Sequence, residues 1–182
     1  ELIKYLKSLE ATKSIFLVTN GQEPDMIQKL EDENALPTQL YLSTNAADYQ
    51  SFLKINRPRY DDSWERWNRT LKMLSKLHTR TVLRLTLIRG YNDNEEMVPA
   101  FASLLRQSNA HFVEIKSYMH IGRSTNRLEY SDMLEMDEVR SFADKLVQEN
   151  STFTVMDESE ISRIVILQNK KRFVDRFIPA YC

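Results

Sequence analysis

Four segments of this chain alternate bulky aliphatic residues with polar ones, in the two-residue period of a β-strand. Three clear examples cover residues 39–43, 81–88 and 112–117, and a looser one covers 14–19. Parallel strands are usually apolar on both faces, so a polar second face predicts a cavity that holds polar ligands. Leu40, Leu42, Leu83, Leu85, Leu87, Val113 and Ile115 should share one face, and Gln39, Tyr41, Ser43, Arg84, Thr86, Glu114 and Lys116 the other.

Apolar residues at helical spacing fill the intervals between these strands. The strongest helix pattern starts near residue 63 and contains Trp64 and Trp67, which are most simply core residues. Two final apolar runs cover 152–156 and 164–167. Other helices are predicted near 2–9, 24–30, 46–53, 95–107 and 137–148.

The alternation of strands and helices is typical of an α/β fold with a largely parallel sheet. We predict a single domain over residues 1–182. A doubly wound sheet and a barrel both fit the alternation, but a barrel has a concave side on which charged side chains can meet. We therefore predict a partial (β/α) barrel with helices on the outer face. Function should lie at the carboxyl ends of the strands, at 20–21, 43–44, 89–92 and 117–127.

The composition excludes several classes of protein. With 25 basic and 26 acidic residues, the chain needs a local basic patch to bind a polyanion. The single cysteine, Cys182, excludes an internal disulfide and a cysteine-only metal or iron–sulfur site built from this chain alone. The histidines share no metal-ligand spacing, so no metal ligand is predicted. No long apolar run or signal-peptide pattern occurs, which predicts a cytoplasmic protein with no membrane partner.

Three charged residues within strands are the first candidates for chemistry. Arg84, Glu114 and Lys116 would be costly to bury without partners. One interpretation is a structural ion-pair network between neighbouring strands. The other is that Lys116 or Arg84 binds a carboxylate, or that Lys116 forms an imine with a keto acid.

Two loops are rich in groups that bind phosphate. Residues 122–127 combine Arg123 and Arg127 with hydroxyl and amide groups, and Arg57 and Arg59 flank Pro58 in another loop. A solvated loop explains either composition as well. If both loops lie on the same rim, they could clamp an RNA backbone.

The order of several segments resembles the radical-SAM tRNA wyosine synthases, the 4-demethylwyosine synthase family. The resemblance runs from about residue 14 to 167 and rests on 17–21, 37–43, Pro58, 64–66, 80–87, 113–116 and 124–128. It implies a radical-SAM barrel that binds S-adenosylmethionine beside a [4Fe-4S] cluster. In that family a 5′-deoxyadenosyl radical acts on the N1-methyl group of a guanosine 3′ of the anticodon in tRNA-Phe. The carbon radical then joins a two-carbon unit of pyruvate, which gives 4-demethylwyosine.

The resemblance also implies roles for individual residues. Lys116 would be catalytic and bind pyruvate. The tRNA would be bound by Arg57, Arg59, Arg123, Asn126 and Arg127. The cofactor side would be formed by Asn20, Ser43, Arg84, Thr86, Asn92 and Glu114.

The chain departs from the family in one respect. The C-x-x-x-C-x-x-C cluster loop and the Gly-Gly-Glu stretch are absent, as if the chain began after the first two units of a six-unit barrel. It would then be inactive alone, and the 14–19 strand would be an open edge. That edge should pair with the missing barrel segment or with a second copy of the chain. Two alternatives stay open: a non-catalytic tRNA-binding remnant, and a metal-free β/α lyase with a Schiff-base lysine.

Overall fold

The structure, a computed structural model, describes residues 1–178 and is organised around a six-stranded sheet of order β1-β2-β3-β4-β6-β5. Strands β1 to β4 are parallel neighbours, as the alternation of strands and helices along the chain predicts. The mostly parallel α/β fold is thereby confirmed. The strands are β1 (Phe16–Thr19), β2 (Gln39–Ser43), β3 (Arg80–Leu87), β4 (Phe112–Ser117), β5 (Phe153–Ser159) and β6 (Ile164–Asn169).

The last two strands run antiparallel to their neighbours. Only residues 160–163 separate β5 from β6, which is too short for the crossover that a parallel pair requires. They therefore form a hairpin, and its tip lies beside the carboxyl end of β4, where the Ser117 N–H donates to the Arg163 carbonyl at 3.1 Å.

Helices precede or follow each parallel strand. Their bounds are α1 (Leu2–Ser8), α2 (Pro24–Asp32), α3 (Tyr49–Asn56), α4 (Ser63–Met73), α5 (Val98–Ser108) and α6 (Met136–Glu149). The predicted amphipathic first helix forms, but it buries no residue, and Leu2 and Tyr5 are exposed. None of the helices in residues 1–178 is long and apolar enough to cross a bilayer.

The two faces of the sheet separate as the alternation predicts. The seven aliphatic side chains of β2, β3 and β4 that are predicted to share one face are fully buried and share one core with α4, α5 and α6. Trp67 lies in that core, and its Nε1 donates to the Ser43 carbonyl at 3.0 Å. Trp64 stacks on Trp67 with ring centroids 5.4 Å apart. Helix α4 is thus tied to the carboxyl end of β2.

At the other end of the sheet, where the parallel strands begin, a neutral histidine forms a hydrogen bond with the backbone of β3. The Thr81 N–H donates to His111 Nδ1 at 3.1 Å. Burial, together with the nearby cations of Arg172 and Arg80, lowers the His111 pKa to about 4. His111 is therefore an acceptor that pairs backbone groups at the base of β3.

The sheet is open, with β1 and β5 as its edges among the described residues. Phe16 and Val18 on β1 are about half exposed, at 54% and 49%. Strand β1 begins two residues later than the sequence pattern predicts, and it is an edge strand, as the family resemblance implies.

Candidate active site

A cavity of about 500 Å³ opens at the carboxyl ends of β2, β3 and β4. We call it the central cavity. Polar side chains from the strands line it together with the loop that follows β4 and the end of α3. Its lining is Ser43, Asn45, Lys54, Ile55, Arg57, Arg84, Thr86, Ile88, Tyr91, Lys116, Tyr118, Met119, Ile121, Ser124, Arg127 and Leu128.

A second cavity of about 450 Å³ adjoins the first on the side of β1. We call it the rim cavity. It shares Ser43, Asn45 and Arg57 with the central cavity, so the two cavities are neighbours. Its other lining residues are Asn20, Gln22, Glu23, Phe52, Asn56, Pro58, Arg59 and Tyr60.

Arg84 and Glu114 are paired in register on β3 and β4. Arg84 Nε lies 2.7 Å from Glu114 Oε1, and Nη2 donates to Oε2 at 3.4 Å. The shorter contact is an ion contact rather than an aligned hydrogen bond, so both of its atoms are buried without a full hydrogen-bond partner among residues 1–178. Tyr41 supports the pair, because its ring centroid lies 4.7 Å from the guanidinium carbon. Burial and the charge of Glu114 raise the Tyr41 pKa.

Lys116 lies one pleat further along β4, in register with Thr86 on β3 and Ile164 on β6. Its side chain is half-buried and lines the central cavity beside Arg84. No carboxylate lies within ion-pair distance of Lys116 in the described part of the chain. The strands therefore bring two cations to the cavity, Arg84 with a carboxylate partner and Lys116 without one, an arrangement suited to an anionic ligand.

Three other predicted residues also reach the cavities. Ser43 and Thr86 are half-buried and line the central cavity. Asn20 is exposed at the rim cavity, and its Oδ1 accepts from the Gln22 N–H at 3.2 Å. Gly21 makes this turn possible, because its φ is +76°.

Asn92, which the resemblance assigns to the cofactor side, lies away from both cavities. Its side chain is 1% exposed and lines neither cavity. Its Nδ2 donates to the carbonyls of Asn45 and Thr86, each at 2.8 Å, and its Oδ1 accepts from the Ile88 N–H at 2.6 Å. Since these bonds occupy the side chain, Asn92 holds the loops after β2 and β3 together.

The predicted basic loops lie at the cavities to different degrees. Arg57 ends α3 in the left-handed conformation and lines both cavities, and Arg59 lines the rim cavity. Arg127 lines the central cavity. Arg123 and Asn126 are exposed in the short 3-10 turn Gly122–Asn126 and line neither.

Several lining residues are not among the individually predicted candidates, although Tyr91 and Tyr118 lie in the predicted rim segments 89–92 and 117–127. Asn45 lies two residues beyond β2, and its Nδ2 donates to Asn56 Oδ1 at 3.1 Å. Tyr91 follows β3, and Lys54 Nζ lies 4.6 Å from its ring centroid. Tyr118 directly follows β4. Their position just past strand ends is a signal that could have identified them.

The residues present fit S-adenosylmethionine in part and do not fit a [4Fe-4S] cluster. The half-satisfied Arg84–Glu114 pair and the hydroxyls of Ser43 and Thr86 offer partners for an amino acid group and a ribose. A cluster needs several thiolates, whereas the chain has one cysteine, Cys182, which lies outside the described residues. Among residues 1–178, no group of three His, Cys, Asp or Glu side chains could hold a metal.

Residues 107–169 match the family model described as "Wyosine base formation". A curated relative from Methanocaldococcus jannaschii, the S-adenosyl-L-methionine-dependent tRNA 4-demethylwyosine synthase, is 42% identical over 88% of this chain and 48% of its own length. The chain thus spans about half the length of such relatives.

Solved structures agree with the sequence comparison. One, described as TYW1 with a lysine-pyruvate adduct bound, is 39% identical with a TM-score of 0.79, over 94% of this chain and 51% of that one. The radical SAM enzyme HemN from Escherichia coli is similar in fold alone, at 14% identity and a TM-score of 0.55, over 94% of this chain and 39% of that one.

Proposed function

Because this chain belongs to the tRNA 4-demethylwyosine synthase family, we propose that it is part of an S-adenosylmethionine-dependent enzyme that modifies tRNA in wyosine biosynthesis. The observation that carries the proposal is the central cavity, where two strand cations meet hydroxyl groups between basic loops. Such a cavity can hold small anions while the loops hold a polyanion.

The finer proposal concerns the substrates. The enzyme would act as a carbon–carbon lyase that condenses N1-methylguanosine of tRNA-Phe, 3′ of the anticodon, with a two-carbon unit of pyruvate. Names of relatives support the product, and the lysine-pyruvate adduct described for TYW1 supports pyruvate as the second substrate. Arg57, Arg59, Arg123, Asn126 and Arg127 would bind the tRNA.

We assign Ser43, Thr86, Arg84, Glu114 and Asn20 to the S-adenosylmethionine side. This cofactor supplies one-electron chemistry when bound beside an iron–sulfur cluster. Since no cluster ligands exist in this chain, the cluster would need ligands from elsewhere. The residues here would orient the cofactor and screen its charge.

Lys116 is the residue we assign to pyruvate. It either binds the carboxylate as an ammonium ion or forms an imine with the keto group, with water leaving as the C=N bond forms. In the intact enzyme that contains this sequence, borohydride trapping with labelled pyruvate distinguishes the two roles. An imine role predicts that borohydride attaches the pyruvate label to Lys116 of the parent enzyme. The variants Lys116→Arg and Lys116→Ala should then both remain unlabelled. A carboxylate role predicts trapping elsewhere or none, with a pyruvate KM raised about tenfold or more by Lys116→Ala and less by Lys116→Arg. Unchanged kinetics and trapping in both variants would remove Lys116 from the site.

A non-catalytic tRNA-binding remnant is the second candidate, because the basic loops are present and cluster ligands are not. It predicts salt-dependent tRNA binding without turnover, even in the intact protein. A metal-free lyase instead predicts borohydride trapping after iron is removed with a chelator.

We also propose that the β1 edge pairs with a further segment of a barrel or, in the isolated chain, with a second copy. The half-exposed Phe16 and Val18 on that edge support it. Light scattering at high concentration should show association, and a monomer would contradict the pairing of copies.

A further inference from the structure

We propose that Tyr130, held by His120, is a stacking platform for an unpaired RNA base at the mouth of the central cavity. The base would be a neighbour of the nucleotide that enters the cavity. This inference rests on the proposed function, because it assumes that RNA is the substrate.

The platform ends a row of three rings that leads out of the cavity. Tyr118 lines the cavity, and the ring centroid of His120 lies 6.3 Å from that of Tyr118. The centroid of Tyr130 lies 6.3 Å further on from that of His120, again edge to face. Hydrogen bonds fix the inner part of the row: the Tyr118 hydroxyl lies 3.2 Å from His120 Nδ1 and donates to Ser124 Oγ at 3.1 Å.

Tyr130 is exposed although its backbone is anchored. Its side chain is 68% exposed, so at least one ring face reaches solvent. Leu128 and Leu134 are buried on either side of it. The short turn that holds it is closed by a capping box between Glu129 and Asp132. A large aromatic side chain on a fixed backbone loses little conformational freedom when it stacks on a ligand.

Two exposed apolar residues flank His120, the ring that contacts Tyr130. Met119 is 46% exposed and Ile121 is 64% exposed, and both also line the cavity. Clustered exposed apolar groups beside a cavity mark an interaction surface.

The charge around this cluster favours RNA over a protein partner. Residues 118–128 include Arg123 and Arg127 and no acidic residue. Across the cavity, Lys54, Arg57 and Arg59 lie in a segment, 54–60, that also lacks acidic residues. The acids closest to Tyr130 in the sequence, Glu129 and Asp132, are engaged in the capping box. Aromatic rings among arginines bind single-stranded bases by stacking while the arginines bind phosphates.

The test uses the intact enzyme and a fluorescent anticodon stem-loop RNA. Tyr130→Ala should weaken binding about fivefold or more, which is the range for the loss of one base–aromatic stack. Tyr130→Phe should bind like the parent, because the stack needs the ring alone. The salt dependence should be unchanged in Tyr130→Ala, whereas Arg123→Ala should reduce the slope by about one phosphate contact.

A paired substitution in the RNA identifies the contact. Each base beside the modified position is replaced in turn with an abasic site. At one position this should weaken RNA binding by the parent enzyme, and the same replacement should cause no further loss of affinity in Tyr130→Ala. Affinity within twofold of the parent for Tyr130→Ala, or equal abasic losses in parent and variant, would overturn the platform and leave the proposed function intact. Absence of RNA binding by the parent enzyme would instead overturn the RNA substrate itself.

Discussion

Arg84 and Glu114 face each other across two parallel strands, with Arg84 Nε 2.7 Å from Glu114 Oε1. The carboxylate side chain is 9% exposed and the guanidinium side chain 30%. The geometry therefore shows the ion pair of the first interpretation, and the ligand-binding role of the second stays a prediction. The pair is a structural ion pair, and its cation also lines the central cavity.

Removal of the carboxylate alone should destabilise the fold. Glu114→Ala leaves Arg84 in the sheet without its partner, and we expect a loss of about 2 to 3 kcal/mol in the free energy of unfolding, moderated by the partial exposure of Arg84. The double variant with Arg84→Met should recover part of this loss. Urea denaturation measures both effects. The control is Glu96→Ala, at an exposed site, which should change the free energy of unfolding by less than about 0.5 kcal/mol. A Glu114→Ala loss no larger than this control would mean that the pair does not contribute to stability.

Gly21 should be the glycine least tolerant of substitution. A Cβ there would lie 2.7 Å from Leu42 Cδ1 and 3.1 Å from Trp67 Cδ1, and its φ is +76°. Both neighbours are fully buried and cannot move away without disturbing the core.

Gly122 is the matched control, because its φ is +64° and no atom lies within 4 Å of the position that a Cβ would occupy. Gly122→Ala should cost about 1 kcal/mol from backbone strain alone, and Gly21→Ala about 2 kcal/mol more. Thermal or urea unfolding measures both losses of stability. Equal losses in the two variants would show that Leu42 and Trp67 can move to accommodate a Cβ at Gly21.

The strand pattern predicts the faces of the sheet because side-chain direction is a local property with a fixed period. Leu83 and Arg84 point to opposite faces for that reason, and the buried core follows. The direction of β6 is harder to predict, since an apolar run such as 164–167 carries no sign of parallel or antiparallel pairing. The short link before it was the available signal.

The residues of the site also differ in how far the sequence predicts them. Lys116 and Thr86 could be placed from strand ends, because parallel strands share one functional edge. Asn92 also follows a strand, yet its amide bonds to the backbone of β3 and of the loop after β2. Sequence position gives the edge on which a polar residue lies, and only tertiary contacts decide whether its side chain faces a ligand.

Asn92 should accordingly behave as a structural residue. Asn92→Asp keeps the shape but removes the two N–H donors and buries a charge, so we expect a loss of about 2 to 3 kcal/mol. Asn126→Asp, on the exposed turn, should change stability by less than about 0.5 kcal/mol. Urea unfolding gives both values. If Asn92→Asp kept full stability and raised only the KM for S-adenosylmethionine, the cofactor assignment would be restored.

His111 should make the fold sensitive to acid. In the native state its pKa is lowered to about 4, while the unfolded side chain keeps its ordinary value of about 6.5. Between these values the unfolded chain binds a proton that the native chain does not. The stability contribution is therefore complete above about pH 6.5 and is lost as the pH falls towards 4.

At pH 4.5 this difference should cost about 2 kcal/mol relative to pH 7.5. His111→Asn retains a side-chain acceptor for the Thr81 N–H but cannot titrate, so its stability should fall less over the same range. The matched control is His78→Asn, at a site whose side chain is 90% exposed. It should keep the acid sensitivity of the parent. Urea unfolding of all three proteins at both pH values measures the effect, and equal acid losses in the parent and His111→Asn would show that His111 is not its source.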